Sequence, residues 1–270
     1  MRFKTAILSM ALMLTAGQVM AGKSLDRRID AATEVLEQMS AMPEKSIPPS
    51  LLSNAYAVAV IPNVIKAGFV LGGSYGKGIL VVRQPGGRWS NPVFIGLGAG
   101  SIGWQAGAQS SDIVLVFKNR RGVDNIAKGK LTLGADANVA AGPVGRRTAA
   151  ATDGRLKAEI YTYARNRGLF AGVSLEGAWL RMDDKANKAF YGGESVSAVK
   201  ILSDEHMPTP AGARQFIKVL ASRTPVLPAQ AAVSRTAQRP DYPNADSKQP
   251  ESAQTFSIDE APAPKSDSIF

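Results

Sequence analysis

The chain has 270 residues, 45% of them hydrophobic, with 32 Lys+Arg against 22 Asp+Glu, a single His and no Cys. That length supports one full core or two small ones. Without Cys there are no disulfides or thiolate sites, and the lone His206 leaves neither a His-cluster metal site nor the usual imidazole base.

Residues 1–21 read as a secretory signal. Arg2 and Lys4 form a positive start, Ala6 to Ala16 is apolar but too short to span a bilayer, and Val19-Met20-Ala21 offers small residues at a cleavage site. Export is therefore expected, which in a bacterium means a periplasmic or secreted protein. No Cys follows the site, so lipoprotein anchoring is not expected.

A helix is predicted from Ser24, as N-cap, to Met42. Leu25, Ile29, Ala32, Leu36 and Met39 recur at spacings of three and four and share one face. The opposite face mixes Asp26, Asp30, Glu34 and Glu37 with Arg27 and Arg28. That mixture lacks the basic bias of a membrane-lying helix and favours packing on a sheet. Pro43, Pro48 and Pro49 end it.

From Ala55 to Arg181 the pattern is mostly strand. Ala55–Ile61 is an apolar run closed by Pro62. Gly78–Gln84 leads into a Pro85-Gly86-Gly87 turn, and the chain resumes at Arg88-Trp89-Ser90 as a hairpin. Further strands are predicted at 92–105, 112–118, 130–141, 157–164 and 169–182. Short connections favour antiparallel pairing. Asp183–Phe190 reads as one or two helical turns, and Ala211–Ser222 as a short helix. Twelve Gly fall between Gly68 and Gly107. Such density suits a tightly coiled sheet or small barrel, or a binding surface that bulky side chains would obstruct.

The expected organisation is a signal at 1–21, a domain at 22–203, a helical extension at 204–223 and a disordered tail at 224–270 rich in Pro, Ala and Ser. Residues 22–203 hold 23 basic and 14 acidic side chains, so the excess positive charge lies in the domain. A basic domain suggests a polyanionic partner, and export argues against nucleic acid.

Complete catalytic motifs are missing. Gly98 to Gly103 matches G-x-G-x-x-G, but a further Gly follows where a helix should open. Gly72 to Gly78 resembles a phosphate loop with one spacing short and no Ser or Thr for a metal, although Lys77 suits a phosphate as a point charge. Gly100-Ser101-Ile102-Gly103 approaches a nucleophile elbow without a base. Asp112, Asp136, Glu159 and Glu176 interrupt apolar segments and read as solvent-facing or paired with Arg or Lys. Lys77 is the expected partner of Glu176 if that carboxylate is buried. Lys118, Arg120, Arg121, Lys128 and Lys130 cluster around Val123, Ile126 and Ala127, and Arg146-Arg147, Arg155-Lys157 and Arg165-Arg167 fall at other loop-like positions. Cations beside small apolar residues suit anionic headgroups. Solvated loops account for them equally well.

A succession of strings extends the reading. Ala55-Tyr56-Ala57-Val58-Ala59-Val60-Ile61-Pro62, Lys66-Ala67-Gly68-Phe69, Gly72–Gly78, Trp89-Ser90-Asn91-Pro92 and Gly100–Gln105 follow one another. Gly134–Pro143, Gly168–Gly177, Asn187 and Tyr191-Gly192 complete the set. Together they resemble the SYLF lipid-binding family over about residues 25–203. The resemblance implies binding to phosphoinositides or other anionic lipids at a membrane surface, without catalysis or a cofactor. The actin binding of eukaryotic members is not carried over, because an exported bacterial protein does not meet actin in its periplasm.

The expected fold is α+β: a Gly-rich coiled antiparallel sheet or small barrel, an N-terminal packing helix and a disordered C-terminal tail. The expected lipid contacts are Lys77, Lys118, Arg120, Arg121, Lys128, Lys130, Arg146 and Arg147. The alternative is an envelope structural or protein-interaction module, with a possible envelope protein partner and no lipid preference. An outer-membrane barrel fits less well, since the last ten residues hold two Pro and do not alternate.

Overall fold

A computed structural model describes residues 22–39, 41, 46–68, 71–102, 107–142, 158–167, 175, 177–193 and 195–224. The signal-like segment, Arg146, Arg147, Arg155, Lys157, Glu176 and residues 225–270 lie outside them.

Helix α1 covers residues 22–39. It begins before Ser24, so that residue is inside the helix and not its cap. The predicted apolar face is buried: Leu25, Ile29, Ala32, Leu36 and Met39 are each 5% exposed or less. They pack on Val58, Val60, Ile79, Val81 and Phe94 of the sheet. Burial of one such Leu or Ile side chain stabilises the fold by about 1.5–3 kcal/mol, which holds a helix of this length against fraying.

After a single turn, α2 (Pro49–Ser53), the sheet begins. Its strands are β1 (Ala57–Gly68), β2 (Leu71–Val82), β3 (Val93–Ile102), β4 (Gly107–Phe117), β5 (Leu131–Thr132), β6 (Val139–Ala141), β7 (Ile160–Arg167) and β8 (Trp179–Met182). The order is β5-β8-β3-β2-β1-β4-β7-β6, a strongly curled half-barrel. All pairs are antiparallel except β6 with β7, which is parallel. The sheet is open, with β5 and β6 at its edges.

The curl is legible in the connectivity. The stretch expected as one strand at 130–141 is two: β5 on one edge and β6 on the other. A turn around Gly134 joins them, closed by the Leu133–Ala137 bridge and by Asp136, whose carboxylate accepts the Thr132 N–H at 2.6 Å. Seven residue steps reach at most about 25 Å. Eight flat strands would set the edges about 34 Å apart. The sheet must bend to bring its two edges within that reach.

Pro62 does not end β1. The strand passes through a bulge at Pro62-Asn63, where its register against both neighbours shifts by one and Asn63 takes φ 50°. Proline has no N–H to give a ladder, and a bulge is where a strand tolerates that loss. The hairpin after Gln84 forms as expected. Gly86 and Gly87 take φ of 87° and 82°, and Gln84 N–H donates to Arg88 O at 2.8 Å.

Two apolar layers sandwich the sheet. One holds α1 and α6 (Ala211–Arg223), the latter burying Ala213, Phe216, Val219 and Leu220. The other holds α3 (Arg120–Ala127) and α5 (Ala198–Ser203) against Ala59, Ile61, Leu80, Ile95 and Leu115. Trp89 Nε1 donates to Thr224 Oγ1 at 3.1 Å and ties the end of α6 to the hairpin. The 204–223 segment is thus packed into the core it follows.

Between β8 and α5 stands α4 (Asp184–Tyr191). Asp183 caps it by accepting the Ala186 N–H at 3.2 Å. Buried Asn187 accepts from Phe94 N–H at 2.7 Å and donates to Phe94 O at 3.3 Å. Tyr191 donates to Pro92 O at 2.6 Å. These bonds fix α4 to β3.

Candidate functional site

The chemistry-like strings of the sequence are structural. Gly72–Gly78 lies wholly inside β2 and is strand, not phosphate loop. Gly98 to Ile102 is strand β3, and Gly103 lies outside the described residues. A side chain at Gly98 would collide with the Trp179 ring, and one at Gly78 with Val60 O. Close packing accounts for both glycines.

Of the interrupting carboxylates, Asp112 and Glu159 are paired with cations, Asp136 accepts the Thr132 N–H in its turn, and Glu176 lies outside the described residues. Asp112 is fully buried. Its Oδ1 accepts the Asn63 N–H at 3.0 Å, and its Oδ2 accepts from Arg165 Nε and a terminal nitrogen at 3.1 and 2.6 Å. Arg165 is thereby committed to the fold. Glu159 accepts from Asn119 Nδ2 at 3.1 Å and Asn138 N–H at 3.2 Å, and faces Arg121 at 3.8 Å. Among the described residues no three His, Asp or Glu gather as a metal ion would need.

The expected lipid contacts among the described residues divide into two places, and Arg146 and Arg147 lie outside those residues. Lys118, Arg120 and Arg121 sit where β4 passes into α3, all exposed. Arg120 bonds Asp124 at 3.1 Å across one helical turn, which raises its pKa further, and Arg121 faces Glu159. Lys128 and Lys130 lie beyond the other end of α3 and are exposed. Gly129, between them, lines a cavity of about 750 Å³ that Lys77 also lines. Lys77 Nζ stands 3.6 Å from Asp183 Oδ2, so its carboxylate partner is Asp183. Arg28 of α1 reaches the same oxygen at 3.4 Å, with its guanidinium 5.3 Å from the Phe94 ring centroid.

That cavity opens between the β2–β3–β8 strip, α4 and the ends of α3 and α5. Lys77, Arg181, Lys185 and Lys188 line it, opposed by Asp183 and Asp184. Ser195 and Ser197 add hydroxyls, the latter accepting the Lys200 N–H at 3.2 Å. Arg181 stacks over Trp179 with its guanidinium 5.1 Å from the ring. Among the described lining residues cations outnumber carboxylates, and Asp183 is shared between Lys77 and Arg28. Sequence reasoning missed Arg181, Lys185 and Lys188. Their signal was weak: Arg181 alternates with Trp179 on one short strand, and Lys185 and Lys188 are three apart on one helix.

A second cavity, about 570 Å³, lies between the hairpin and α6, lined by Trp89, Met207, Ile217 and Ala221 with Arg88, Glu205 and Arg214 at its sides. Arg88 and Glu205 pair at 3.1 Å. Among the described residues no helix is long and apolar enough to cross a membrane.

Residues 98–223 match the family described as Ysc84, Las17-binding protein actin regulator. The chain is 42% identical over 183 residues to an SH3 domain-containing YSC84-like protein 1 of Xenopus laevis, covering 67% of this chain and 54% of that one. The Homo sapiens protein of that name is 40% identical over 183 residues, covering 67% and 53%. LAS seventeen-binding protein 3 of Saccharomyces cerevisiae is 36% identical over 183 residues, covering 67% and 39%. The chain spans about half the length of the animal relatives and less of the yeast one. No solved structure matches it significantly.

Proposed function

The chain belongs to the Ysc84 (SYLF) family, and from that premise we propose that it is a non-catalytic binding module for anionic lipid headgroups. The observation that carries the reading is the basic cavity. Lys77, Arg181, Lys185 and Lys188 line it, and Lys128 and Lys130 flank its Gly129. Phosphate-bearing headgroups of the phosphoinositide kind fit such a wall, each cation near an anionic surface contributing about 1 kcal/mol. Lys118, Arg120 and Arg121 lie at the far end of α3 and act in this reading as a diffuse attraction. Arg146 and Arg147, outside the described residues, are kept as proposed contacts of the same diffuse kind. The pattern of residues 1–21 adds the proposal that the chain is exported and meets this surface in the envelope.

The test is charge reversal. Lys77→Glu with Arg181→Glu should weaken association with vesicles of phosphatidylcholine and phosphatidylserine by roughly 25-fold or more, at about 1 kcal/mol for each charge. Arg120→Glu should weaken it less. Equal loss from both would place the contact in overall charge and not in the cavity.

A second reading is a protein-interaction module. The family description names Las17 binding and actin regulation, and the apolar cavity beside Trp89 and Ile217 offers a place for a protein segment. In this reading Ile217→Asp abolishes partner capture and leaves vesicle binding intact.

A further inference from the structure

The side of the sheet that carries α1 continues past that helix as a banded surface. Ile79 packs toward α1. Strand alternation then puts Lys77 and Tyr75 on the same side. Lys77 is opposite Gly96, and Gly96 opposite Arg181. One step further out, Ile65 is opposite Tyr75, Tyr75 opposite Gly98, and Gly98 opposite Trp179. Two parallel rows therefore cross the strands. The inner row is cationic, Lys77 and Arg181. The outer row is apolar and aromatic, Ile65, Tyr75 and Trp179. Beyond it Gly73 and Gly100, opposite one another, continue the same side without bulk.

Two members of the outer row are unusually exposed, and Trp179 is half-buried. Ile65 is 59% and Tyr75 54% exposed, two of the three large hydrophobic side chains so exposed among the described residues. They are direct cross-strand partners, so they form one patch and not scattered singles. Two carboxylates beside the band are occupied: Asp112 by Arg165, and Asp183 by Arg28 and Lys77.

We propose that this band is the membrane-contact face, with the Ile65–Tyr75–Trp179 row entering the interfacial layer of an anionic bilayer while Lys77 and Arg181 hold its phosphates. The proposal rests on the headgroup reading above and deepens it. Charge complementarity selects an anionic lipid surface as the occupant. Tyr and Trp have apolar bodies with polar tips and settle at the headgroup level, and cations stand one row behind them. Screening by salt weakens the cationic row and leaves the apolar one. The small residues of the next row let the bilayer approach the backbone.

The chain has no Cys, so Ile65→Cys gives a single attachment point for a polarity-sensitive fluorophore. Arg88→Cys, on the hairpin at the other end of β2, is the control. Each labelled full-length chain is mixed with phosphatidylcholine–phosphatidylserine vesicles. The label at 65 should shift to the blue on binding and the label at 88 should not. Ile65→Ser with Tyr75→Ser should weaken binding roughly tenfold or more at high salt. If the chain pellets with vesicles, yet neither label shifts and the double variant binds as tightly, the inserted row is overturned and the headgroup reading stands. A chain that does not bind the vesicles overturns both. A shift of the label at 65 with protein concentration alone would make the band a contact between copies of this chain, which also overturns the proposal.

Discussion

Arg165 donates two hydrogen bonds to a single oxygen of Asp112, at 3.1 and 2.6 Å, and the other oxygen of that carboxylate takes the Asn63 N–H at 3.0 Å. Three strands meet at this point. β4 supplies Asp112, β7 supplies Arg165, and β1 supplies the bulge that follows Pro62. The carboxylate thus satisfies a backbone donor where the ladder is interrupted, and the guanidinium neutralises a buried charge. Asp112→Ala leaves Arg165 facing a site with no anion. It should destabilise the fold by about 3–5 kcal/mol in urea unfolding. Asp112→Ala with Arg165→Met should recover part of that loss, since no charge is then stranded.

Gly98 and Trp179 are a lock of a different kind. The indole occupies the space a Cβ at residue 98 would need. Gly98→Val must displace the ring, the Arg181 guanidinium stacked on it and the wall of the basic cavity. A loss of about 1–3 kcal/mol is expected, with a change in tryptophan emission. Headgroup affinity should fall at temperatures where the variant is still folded.

Stability should decline in alkali. Burial pushes the Tyr191 and Tyr163 phenols well above their ordinary value of 10.0. Above that pH the unfolded chain gives up these protons while the folded chain keeps them. Folding then binds protons, and stability falls as pH rises; below pH 10 the contribution is complete. Tyr191→Phe also removes the bond to Pro92 O. The variant should be less stable at neutral pH by about 0.5–1.5 kcal/mol, and its stability should fall less steeply above pH 10. Unfolding curves across that range check both parts.

Phe216 reports on the last helix. It is fully buried in the core cluster that includes α1 and one face of the sheet. Phe216→Ala should cost about 3–5 kcal/mol, and a chain stopped before residue 211 should fail to fold cooperatively. A full melting transition in such a truncation would show that α6 is dispensable.

The α1 face was legible because its spacing of three and four survives any tertiary context. The hairpin at Gly86-Gly87 was legible because glycine takes two successive positive φ values without steric cost. The extent of β1 was not, because Pro62 is a strand stopper until a bulge and a distant Asp112 rescue it. The split of residues 130–141 was not, because β5 and β6 have two and three residues and their placement on opposite edges depends on the curl of the whole sheet. Within the site, Lys77 was picked out by its glycine-rich setting. Arg181, Lys185 and Lys188 were passed over because the cavity gathers them from a strand and a helix, with no run of charge in the sequence. The α3 cluster was conspicuous for the opposite reason: its cations are adjacent in sequence, yet Arg120 and Arg121 face Asp124 and Glu159.

The measurement that bears most directly on the proposed role is co-sedimentation of the full chain with vesicles of phosphatidylcholine alone and of phosphatidylcholine with phosphatidylserine, at low and at high salt. Binding confined to the anionic vesicles and weakening as salt rises is the predicted result. Equal recovery with both vesicles, or no recovery with either, would contradict it.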